Sequence, residues 1–363
     1  MNKIILGAFV LISGLIIYSC QKEVFGELVK YDPTPYNLQF VNNTLPVPNL
    51  PSDNPLTVAK VQLGRMLFYN KELSSDGTVS CASCHNQQNA FSDIDKFSVG
   101  VGGATGDRQA MAIFNMAWHE NEFFWDGRSH LLRDQSLEPI ENPLEMNESV
   151  DNVIEKLYKD ATMKNQFMRA FGSIEITAEK MSLALEAFMM SIISDDSKYD
   201  QYLAGQVQLT PSEERGRVLF FGEYNEFFPE TSGADCAHCH AGNNFENDLY
   251  MNNGLDTDGD FIDFGRELAT GNLADRAKFK VTTLRNIAVT PPYMHDGRFQ
   301  TLEEVVDHYN GEVKNSSTVD PALLGTTATG LMLDEQEKED LINFLKTLTD
   351  YTLLNNPAYS DPY

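Results

Sequence analysis

Apolar side chains recur at helical spacing through most of the chain. Residues 178–194 carry such a series, residues 150–171 show a similar pattern, and Asp334 is placed to cap a helix near the end of the chain. The inward positions of the first and last of these helices are Met181, Leu185, Phe188, Met189, Ile192, Leu341, Ile342, Phe344, Leu345 and Leu348. The sequence has no long series of alternating apolar and polar positions, which a half-buried strand would need. The pattern predicts a mainly α-helical protein.

The N-terminus carries an apolar run of a different kind. Residues 4–17 follow Lys3, are almost wholly apolar, and lead to Tyr18-Ser19-Cys20. The run is too short for a transmembrane helix and is typical of a signal peptide. A small residue directly before Cys resembles the bacterial lipobox, which implies removal of residues 1–19 and a lipid on Cys20; an ordinary cleavage site near a Cys is the alternative. We therefore expect a lipoprotein on the periplasmic side, held by its lipid anchor alone, with the inner or outer membrane left open.

Composition narrows the class of protein. The 363 residues suggest two domains, preceded by a tether over residues 20–55 that is rich in Asn and Pro. The 53 acidic residues outnumber the 27 Lys and Arg, so the formal charge is −26. A phosphate-binding protein needs the opposite sign, and nucleic acid is therefore excluded as a partner. The same charge would attract a basic partner.

Four of the five cysteines form the same motif twice. Cys81-Ala82-Ser83-Cys84-His85 and Cys236-Ala237-His238-Cys239-His240 both read Cys-x-x-Cys-His, the attachment signature of c-type haem. In that chemistry the two thiols form thioethers and the histidine reaches the iron from the proximal side. The sequence thus predicts two covalently bound c-type haems, with His85 and His240 as iron ligands.

Three other uses of these cysteines fit less well. A redox Cys-x-x-Cys does not require a following His, and a zinc site built on Cys81, Cys84, Cys236 and Cys239 would leave both histidines unexplained. Disulfides are favoured in an exported chain, but the haem interpretation already uses all four thiols. We therefore predict no disulfide.

The two motifs lie in an internal repeat. Residues 63–68 (Leu-Gly-Arg-Met-Leu-Phe) precede the first motif, and residues 215–220 (Arg-Gly-Arg-Val-Leu-Phe) precede the second. Thr57 and Thr210 are placed to cap the two helices that carry these segments. We expect two tandem cytochrome c-like haem domains with long connecting helices, over residues 56–205 and 206–363, with the break near residues 202–209.

The segments between and after the motifs resemble one known family. Residues 123–128 (Phe-Phe-Trp-Asp-Gly-Arg), residues 139–146 around Pro-Ile-Glu-Asn-Pro, and residues 279–297 are similar to the bacterial di-haem cytochrome c peroxidases, the MauG-like branch included. With the two haem motifs, the resemblance spans about residues 55–349. It implies that the N-terminal haem reacts with hydrogen peroxide and that the C-terminal haem receives electrons from a small donor protein such as a cytochrome c.

The resemblance also assigns roles to residues. Trp125 matches the tryptophan between the haems, which relays electrons, and its alternative is a large buried aromatic. Gln135 and Glu145 match residues over the peroxide-reactive iron, where a carboxylate can move the proton that O–O cleavage requires. Many members place a second His on the loop after the first motif, but Val101 occupies that position here. We therefore expect the first haem to keep an open face in every redox state.

The sixth ligand of the second haem differs from the common pattern. Tyr309 stands where many peroxidases have Met, and a Tyr there resembles the MauG-like branch. A phenolate would lower the reduction potential of the iron, whereas a thioether would raise it. Met294 is the competing candidate. We favour Tyr309, because Met more often fills gaps in a core.

The family also binds a calcium ion between its haems. By resemblance its ligands are the backbone carbonyls of Thr290 and Pro292 and the side-chain amide of Gln109, where Asn is usual. The favoured function is reduction of hydrogen peroxide to water. The alternatives are a MauG-like oxidase, which uses peroxide and a high-valent di-haem state to oxidise a protein side chain, and a non-catalytic electron-transfer cytochrome. A homodimer, common in the family, is left open.

Overall fold

The computed structural model describes residues 29–225, 227–228 and 231–363. The predicted signal peptide and Cys20 lie outside the described residues. Within these ranges the α-helices, numbered α1 to α13, are Val58–Tyr69, Cys81–Cys84, Leu132–Gln135, Glu138–Glu141, Val150–Lys159, Ala161–Phe171, Ala178–Ser191, Lys198–Leu203, Pro211–Phe221, Glu267–Thr270, Leu302–Asp307, Thr326–Thr329 and Glu335–Lys346. Two short strands, β1 (Tyr250–Met251) and β2 (Phe279–Lys280), pair antiparallel with Tyr250 opposite Lys280. The described chain is therefore mainly helical, as predicted.

The hydrophobic side chains form two cores. The first is built by residues between Leu56 and Ile192, and the chain returns to it at Leu353 and Tyr359. The second is built by residues between Tyr199 and Leu348. Each core contains one of the two repeated helices, α1 or α9. The predicted boundary between residues 205 and 206 stays a prediction.

The repeated glycines mark two equivalent helix crossings. α1 packs against α7 and α9 packs against α13. A Cβ on Gly64 would overlap the carbonyl oxygen of Ala184, and a Cβ on Gly216 would overlap that of Asp340. Glycine lets the two backbones approach more closely than any other residue would. The repeat in the sequence is thus a repeat of one packing contact.

Helix boundaries follow the capping residues. Thr57 accepts a hydrogen bond from the Lys60 amide, and Thr210 forms a capping box with Glu213, both as predicted. The predicted helical pattern over residues 150–171 is divided into α5 and α6, because Asp160 is extended and caps α6 by accepting from the Thr162 amide. The helix predicted to reach residue 194 ends at Ser191. Beyond it, the buried Asn115 side chain donates to the Ser194 carbonyl and accepts from the Ser194 amide, so these groups bond to a side chain instead of to a helix.

The segment before α1 lies along both cores. The Asp195 carboxylate accepts hydrogen bonds from the amides of Val41 and Asn42, at 3.0 and 3.1 Å. The Thr44 hydroxyl donates to Asp200 at 2.5 Å, and Trp118 donates to the Pro46 carbonyl at 2.8 Å. These contacts fix the described part of the predicted tether on the surface of the molecule. In the described ranges, none of the helices is long and apolar enough to cross a membrane.

Candidate functional site

A cavity of about 510 Å³ lies between the two cores and collects side chains from both. It is lined by most of the predicted site residues, namely Cys84, His85, Gln109, Trp125, Gln135, Pro139, Glu145, Thr290, Pro292 and Met294. A smaller cavity of about 50 Å³ reaches Cys81. Cys236, Cys239, His240 and Tyr309 line neither cavity. The structure thus gathers the first motif with the residues predicted for its distal side, and it keeps the second motif apart.

The first motif presents one nitrogen of a partly buried imidazole. Cys81 to Cys84 form α2, and the His85 amide donates to the Cys81 carbonyl at 2.9 Å. The Nδ1 atom of His85 lies 3.1 Å from the carbonyl oxygen of Phe91, which can only accept, so Nδ1 carries the proton. Burial lowers the pKa of His85. The neutral ring therefore has Nε2 available as a metal ligand, in the arrangement that iron- and zinc-binding histidines adopt.

The second motif repeats this arrangement. Cys236–His238 form one turn of 3₁₀ helix, and the His240 amide donates to the Cys236 carbonyl at 2.9 Å. The Nδ1 atom of His240 lies 3.3 Å from the Phe245 carbonyl oxygen and 3.1 Å from that of Thr282. Burial lowers the pKa of His240 to about 4. Both histidines are thus oriented through Nδ1 by main-chain carbonyls.

The surroundings of the four thiols favour their protonated form. None of the four cysteines that the structure describes forms a disulfide. Burial raises the pKa of Cys81 and Cys236 to about 12 and that of Cys84 and Cys239 to about 11. Redox-active Cys-x-x-Cys motifs require a thiolate, which these surroundings disfavour. Within the described residues, no group of three or more His, Cys, Asp or Glu side chains is arranged to hold a metal ion.

Glu145 lies in a short turn that follows α4. Its carboxylate accepts a hydrogen bond from the Asn142 side chain at 2.7 Å. Burial raises the pKa of Glu145, although the Asn142 bond and the charge of Arg128 oppose this effect. A carboxyl group whose pKa is raised toward neutrality can both accept and return a proton. Glu145 therefore has the surroundings of a general acid–base.

The loop that carries Val101 supports this turn. The Val101 amide donates to the Glu145 carbonyl at 2.8 Å, and a Cβ on Gly100 would overlap the carbonyl oxygen of Leu144. The Val101 side chain packs against the first core and does not line the cavity. His119 does line the cavity, but its two ring nitrogens face the carboxylates of Glu246 and Asp248. Among the residues that line this cavity, the only histidines are His85 of the first motif and this engaged His119.

Trp125 is anchored to both halves of the chain. Its indole Nε1 donates to the Gln109 carbonyl at 2.8 Å, and its own carbonyl accepts from the Lys280 amide at 2.8 Å. The edge of its ring faces His295, whose ring stacks on Phe279 with centroids 3.6 Å apart. Trp125 is thus held by main-chain contacts to residues of both halves of the chain.

Comparison with known proteins decides the family. Residues 58–208 match the family described as di-haem cytochrome c peroxidase. The methylamine utilization protein MauG of Methylorubrum extorquens is 36% identical over 302 residues, which cover 82% of this chain and 80% of that protein. The cytochrome c551 peroxidase of Nitrosomonas europaea is 32% identical over 310 residues, 84% of each chain. The chain belongs to the di-haem cytochrome c peroxidase family. The predicted resemblance is confirmed, and the protein is an oxidoreductase of a family with two haems.

Solved structures agree with this assignment. A MauG-like protein associated with microbial copper homeostasis is 36% identical and superposes with a TM-score of 0.80 over 90% of this chain and 99% of that one. A diheme peroxidase from Burkholderia thailandensis has a TM-score of 0.70 at 22% identity and shares the fold. The fold is therefore that of the di-haem peroxidases along nearly the whole described chain.

The donor set of the chain fits the two haems that the family implies. Each motif supplies two neutral, unpaired thiols and one imidazole that is oriented through Nδ1. The first motif opens on a cavity that is also lined by the partly buried Glu145 carboxyl group. Around the second motif, the Cys239 thiol contacts the Met251 sulfur at 3.4 Å. That contact was not predicted, and no pattern around Met251 would have indicated it.

Tyr309 and Met294 meet at one amide near the second motif. The Asn253 side chain lies 3.4 Å from the Tyr309 hydroxyl and 3.2 Å from the Met294 sulfur. Tyr309 is partly buried against the second core, and burial raises its pKa to about 12. Both candidates for the sixth ligand thus lie within reach of the same Asn253 side chain.

Two further residues that line the cavity were not singled out from the sequence. Asn142 holds the Glu145 carboxylate, and Arg128 lines the cavity with its guanidinium 3.5 Å from the centre of the Phe124 ring. Both lie inside the segments that carry the family resemblance. Their position in those segments was the available signal, but the contacts themselves depend on the turn at residues 142–147.

Proposed function

We propose that the protein is a di-haem c-type peroxidase that reduces hydrogen peroxide to two waters. One peroxide, two electrons from a small donor protein such as a periplasmic cytochrome, and two protons from solvent balance the reaction. The observation that carries the proposal is the partly buried Glu145 carboxyl, which shares a cavity with His85 in a member of the peroxidase family. A non-catalytic electron carrier would have no use for an acid–base group in that cavity.

Covalent attachment of both haems is part of this proposal. Cys81 and Cys84 would form the thioethers of the first haem and His85 would bind its iron through Nε2; Cys236, Cys239 and His240 would do the same in the second half. The two halves would then be tandem cytochrome c-like units. When bound, the haem irons supply the redox chemistry, namely peroxide cleavage at the first and electron storage at the second.

The chain's own groups would direct the reaction at the first haem. Glu145 would take a proton from the inner peroxide oxygen and return it to the outer oxygen, which then leaves as water. Gln135 lines the same cavity and would orient the peroxide by hydrogen bonding. Trp125, held by contacts to both halves, would carry electrons from the second haem to the first.

Rapid mixing of the holoprotein with peroxide tests the proposal. In the presence of a reduced cytochrome c, we expect two cytochrome molecules to be oxidised for each peroxide that is consumed. Cys84→Ala should lose covalent haem at the first motif, and Glu145→Gln should retain both haems but react slowly. Absence of any reaction of the fully loaded protein with peroxide would contradict the proposal.

The open distal face is tested separately. Val101 packs into the first core, and the lining of the cavity offers no free histidine on the distal side. We expect an electron spin resonance spectrum of the oxidised protein to contain a high-spin component from the first haem. Two bis-ligated low-spin haems, with no high-spin signal, would show that another residue closes that face.

A MauG-like oxidase is the second candidate, and Tyr309 favours it. The Tyr309 hydroxyl is enclosed beside the second motif, and a MauG protein is among the relatives with 36% identity. A tyrosinate ligand would lower the potential of the second haem and weaken its role as a store for donor electrons. Slow turnover of a cytochrome donor, together with oxidation of a protein side chain by peroxide, would favour this activity. Loss of a sulfur-to-iron absorption band in Met294→Ala, but not in Tyr309→Phe, would instead assign Met294 as the ligand.

Calcium and membrane attachment complete the proposal. Gln109, Thr290 and Pro292 line one cavity, and oxygen atoms of an amide and two carbonyls suit calcium. Elemental analysis before and after chelation would test for one bound ion. Cys20 would carry a lipid that anchors the mature chain on the periplasmic side; Cys20→Ser should move the protein from the membrane fraction to the soluble fraction.

A further inference from the structure

Four ionisable side chains form a buried row beside the second haem motif. His119 comes from the first half of the chain, and Glu246, Asp248 and Lys280 come from the second. The His119 ring lies between two carboxylates: Nε2 is 3.4 Å from Glu246 Oε2, and Nδ1 is 3.4 Å from Asp248 Oδ1. Lys280 pairs with the same oxygen of Asp248. The four side chains are between 2% and 14% exposed.

One oxygen of each carboxylate in this row accepts hydrogen bonds from outside the row. Asn244 donates to Glu246 Oε1 at 2.6 Å, and the amides of Glu120 and Asn121 donate to Asp248 Oδ2 at 2.7 and 2.6 Å. The atoms that face each other across the His119 ring are less well satisfied. Within the described chain, His119 Nδ1 and Glu246 Oε2 are buried without a hydrogen bond, and Asp248 Oδ1 is partnered by the ion pair with Lys280. Buried polar atoms left in this state call for a reason other than stability.

The charge of the row depends on one proton. With a neutral imidazole, two carboxylates face one ammonium and the net charge is negative; one added proton makes it neutral. Burial raises the pKa of Glu246. Burial also acts on Asp248, but His119 and Lys280 outweigh it and lower the pKa of that group to about 2. Glu246, and not Asp248, is therefore the carboxylate of the row that can take up a proton, and its unpartnered Oε2 lies 3.4 Å from His119 Nε2.

The row adjoins both main-chain contacts of His240. The ring of His240 donates to the carbonyls of Phe245 and Thr282. Glu246 directly follows Phe245, and Lys280 lies two residues before Thr282. His119 and Lys280 also line the cavity of the first haem, and the Lys280 amide donates to the Trp125 carbonyl. The row thus lies where an electron in the second half, on its way toward Trp125, would change the local potential.

We propose that the His119–Glu246 pair binds one proton from solvent when the second haem receives one electron, and releases it when the electron moves to the first haem. This inference rests on the proposed function. A negative charge added in a poorly solvated site raises the proton affinity of a nearby acid or imidazole. By linkage, the bound proton makes reduction easier by the same free energy. Two such cycles would take up two protons, the number that one peroxide consumes.

The other charged groups around the row do not provide this proton. Asp248 and Lys280 hold opposite charges against each other. The Glu122 carboxylate faces Arg266 at 3.3 Å and meets Lys280 only through its main-chain carbonyl. A row that served only to join the two halves would keep a fixed protonation state.

Redox titration of the purified di-haem protein at pH 5.5 to 8.5 tests the proposal. We expect the potential of the second haem to fall by up to about 59 mV per pH unit, which corresponds to one proton per electron. Glu246→Gln keeps the shape of the side chain but cannot ionise, and it should flatten this dependence, as should His119→Gln. Glu122→Gln is the matched control and should retain the slope of the parent protein.

A second measurement needs no variant. Chemical reduction of the second haem in a weakly buffered solution with a pH indicator should consume close to one proton per electron near neutral pH. A potential independent of pH, a proton uptake near zero, or an unchanged slope in both Glu246→Gln and His119→Gln would overturn the proposal. Peroxide turnover is scored separately, so a protein that reduces peroxide without this dependence would lose the proton site and keep the function.

Discussion

Glu145 concentrates the predicted chemistry in one carboxyl group. Its burial and its contact with Asn142 set the proton affinity on which peroxide cleavage would depend. Glu145→Gln removes the proton carrier but keeps the size of the side chain, so we expect the bimolecular rate with peroxide to fall by about 10²–10⁴-fold, as general acid–base catalysis contributes. Stopped-flow absorbance of the haem measures that rate. Glu141→Gln, an exposed neighbour, is the control, and an equal loss in both variants would contradict the assignment.

Replacement of Asn142 should shift the pH profile of the rate with peroxide. Glu145 must be ionised to accept a proton, so the rate should fall as the pH drops through its pKa. The hydrogen bond from Asn142 lowers that pKa against the effect of burial. Asn142→Ala should therefore move the acidic limb of the rate profile to higher pH, while the rate at high pH changes less. A limb that stays in place, or moves to lower pH, would show that another group controls it.

The functional residues differ in how well their roles could be predicted from the sequence. The Cys-x-x-Cys-His motifs could be recognised because thioether chemistry fixes the spacing of two thiols and one imidazole. Glu145 and Trp125 needed a family resemblance, since a lone Glu or Trp has many uses. The row of His119 and Glu246 was missed altogether, because the two residues are brought together only by the contact between the halves of the chain.

Helix pairs are the elements that the repeat encodes. The predicted caps at Thr57 and Thr210 are present, and the Gly-Arg segments lie at two equivalent crossings. The sequence indicated the repeat but not its meaning, since the partner helices α7 and α13 are distant in the chain. The break at Asp160 was also missed: apolar periodicity continues across it, and a single capping side chain ends one helix and begins the next.

The crossings predict the effect of one methyl group. Gly64→Ala or Gly216→Ala would place a Cβ against a main-chain carbonyl that cannot rotate away. We expect a loss of about 1–3 kcal/mol in the free energy of unfolding, as in other overpacked cores. Gly259→Ala is the control, because no atom lies within 4 Å of its added Cβ. Chemical denaturation of the haem-loaded protein measures the difference, and equal stability of all three variants would contradict the packing argument.

At the scale of the whole molecule, one buried ion pair joins three segments. Arg285 binds both oxygens of Asp200 at 2.8 Å, and Asp200 also accepts from Thr44 in the N-terminal segment. Burial opposes ionisation of Asp200, but Arg285 outweighs it and holds the pKa of Asp200 below its usual value. Asp200→Asn would leave the guanidinium buried without its partner, which costs about 3–5 kcal/mol.

The pH dependence of that loss of stability follows from the direction of the pKa shift of Asp200. Because the folded pKa of Asp200 is lowered, the ion pair stabilises the protein above the unfolded pKa of about 3.9 and loses its effect as the pH falls through the folded value. The difference in unfolding free energy between the parent protein and Asp200→Asn should thus be largest near neutral pH and shrink in acid. Glu335→Gln, on a 92% exposed side chain, should change stability little at any pH. A difference that grew in acid would contradict the pairing.

The charge of the whole molecule should make its reaction with an electron donor depend on salt. A formal charge of −26 attracts a basic protein over distances that salt shortens, because the Debye length falls from about 30 Å at 0.01 M to about 8 Å at 0.15 M. The value of kcat/KM for a basic cytochrome c should therefore fall steeply as ionic strength rises. The bimolecular rate with hydrogen peroxide provides an internal control, since the neutral substrate feels no such attraction and should react at the same rate throughout. If both rates were equally insensitive to salt, the donor would not be guided by charge, and the acidic surface would have to be assigned to solubility alone.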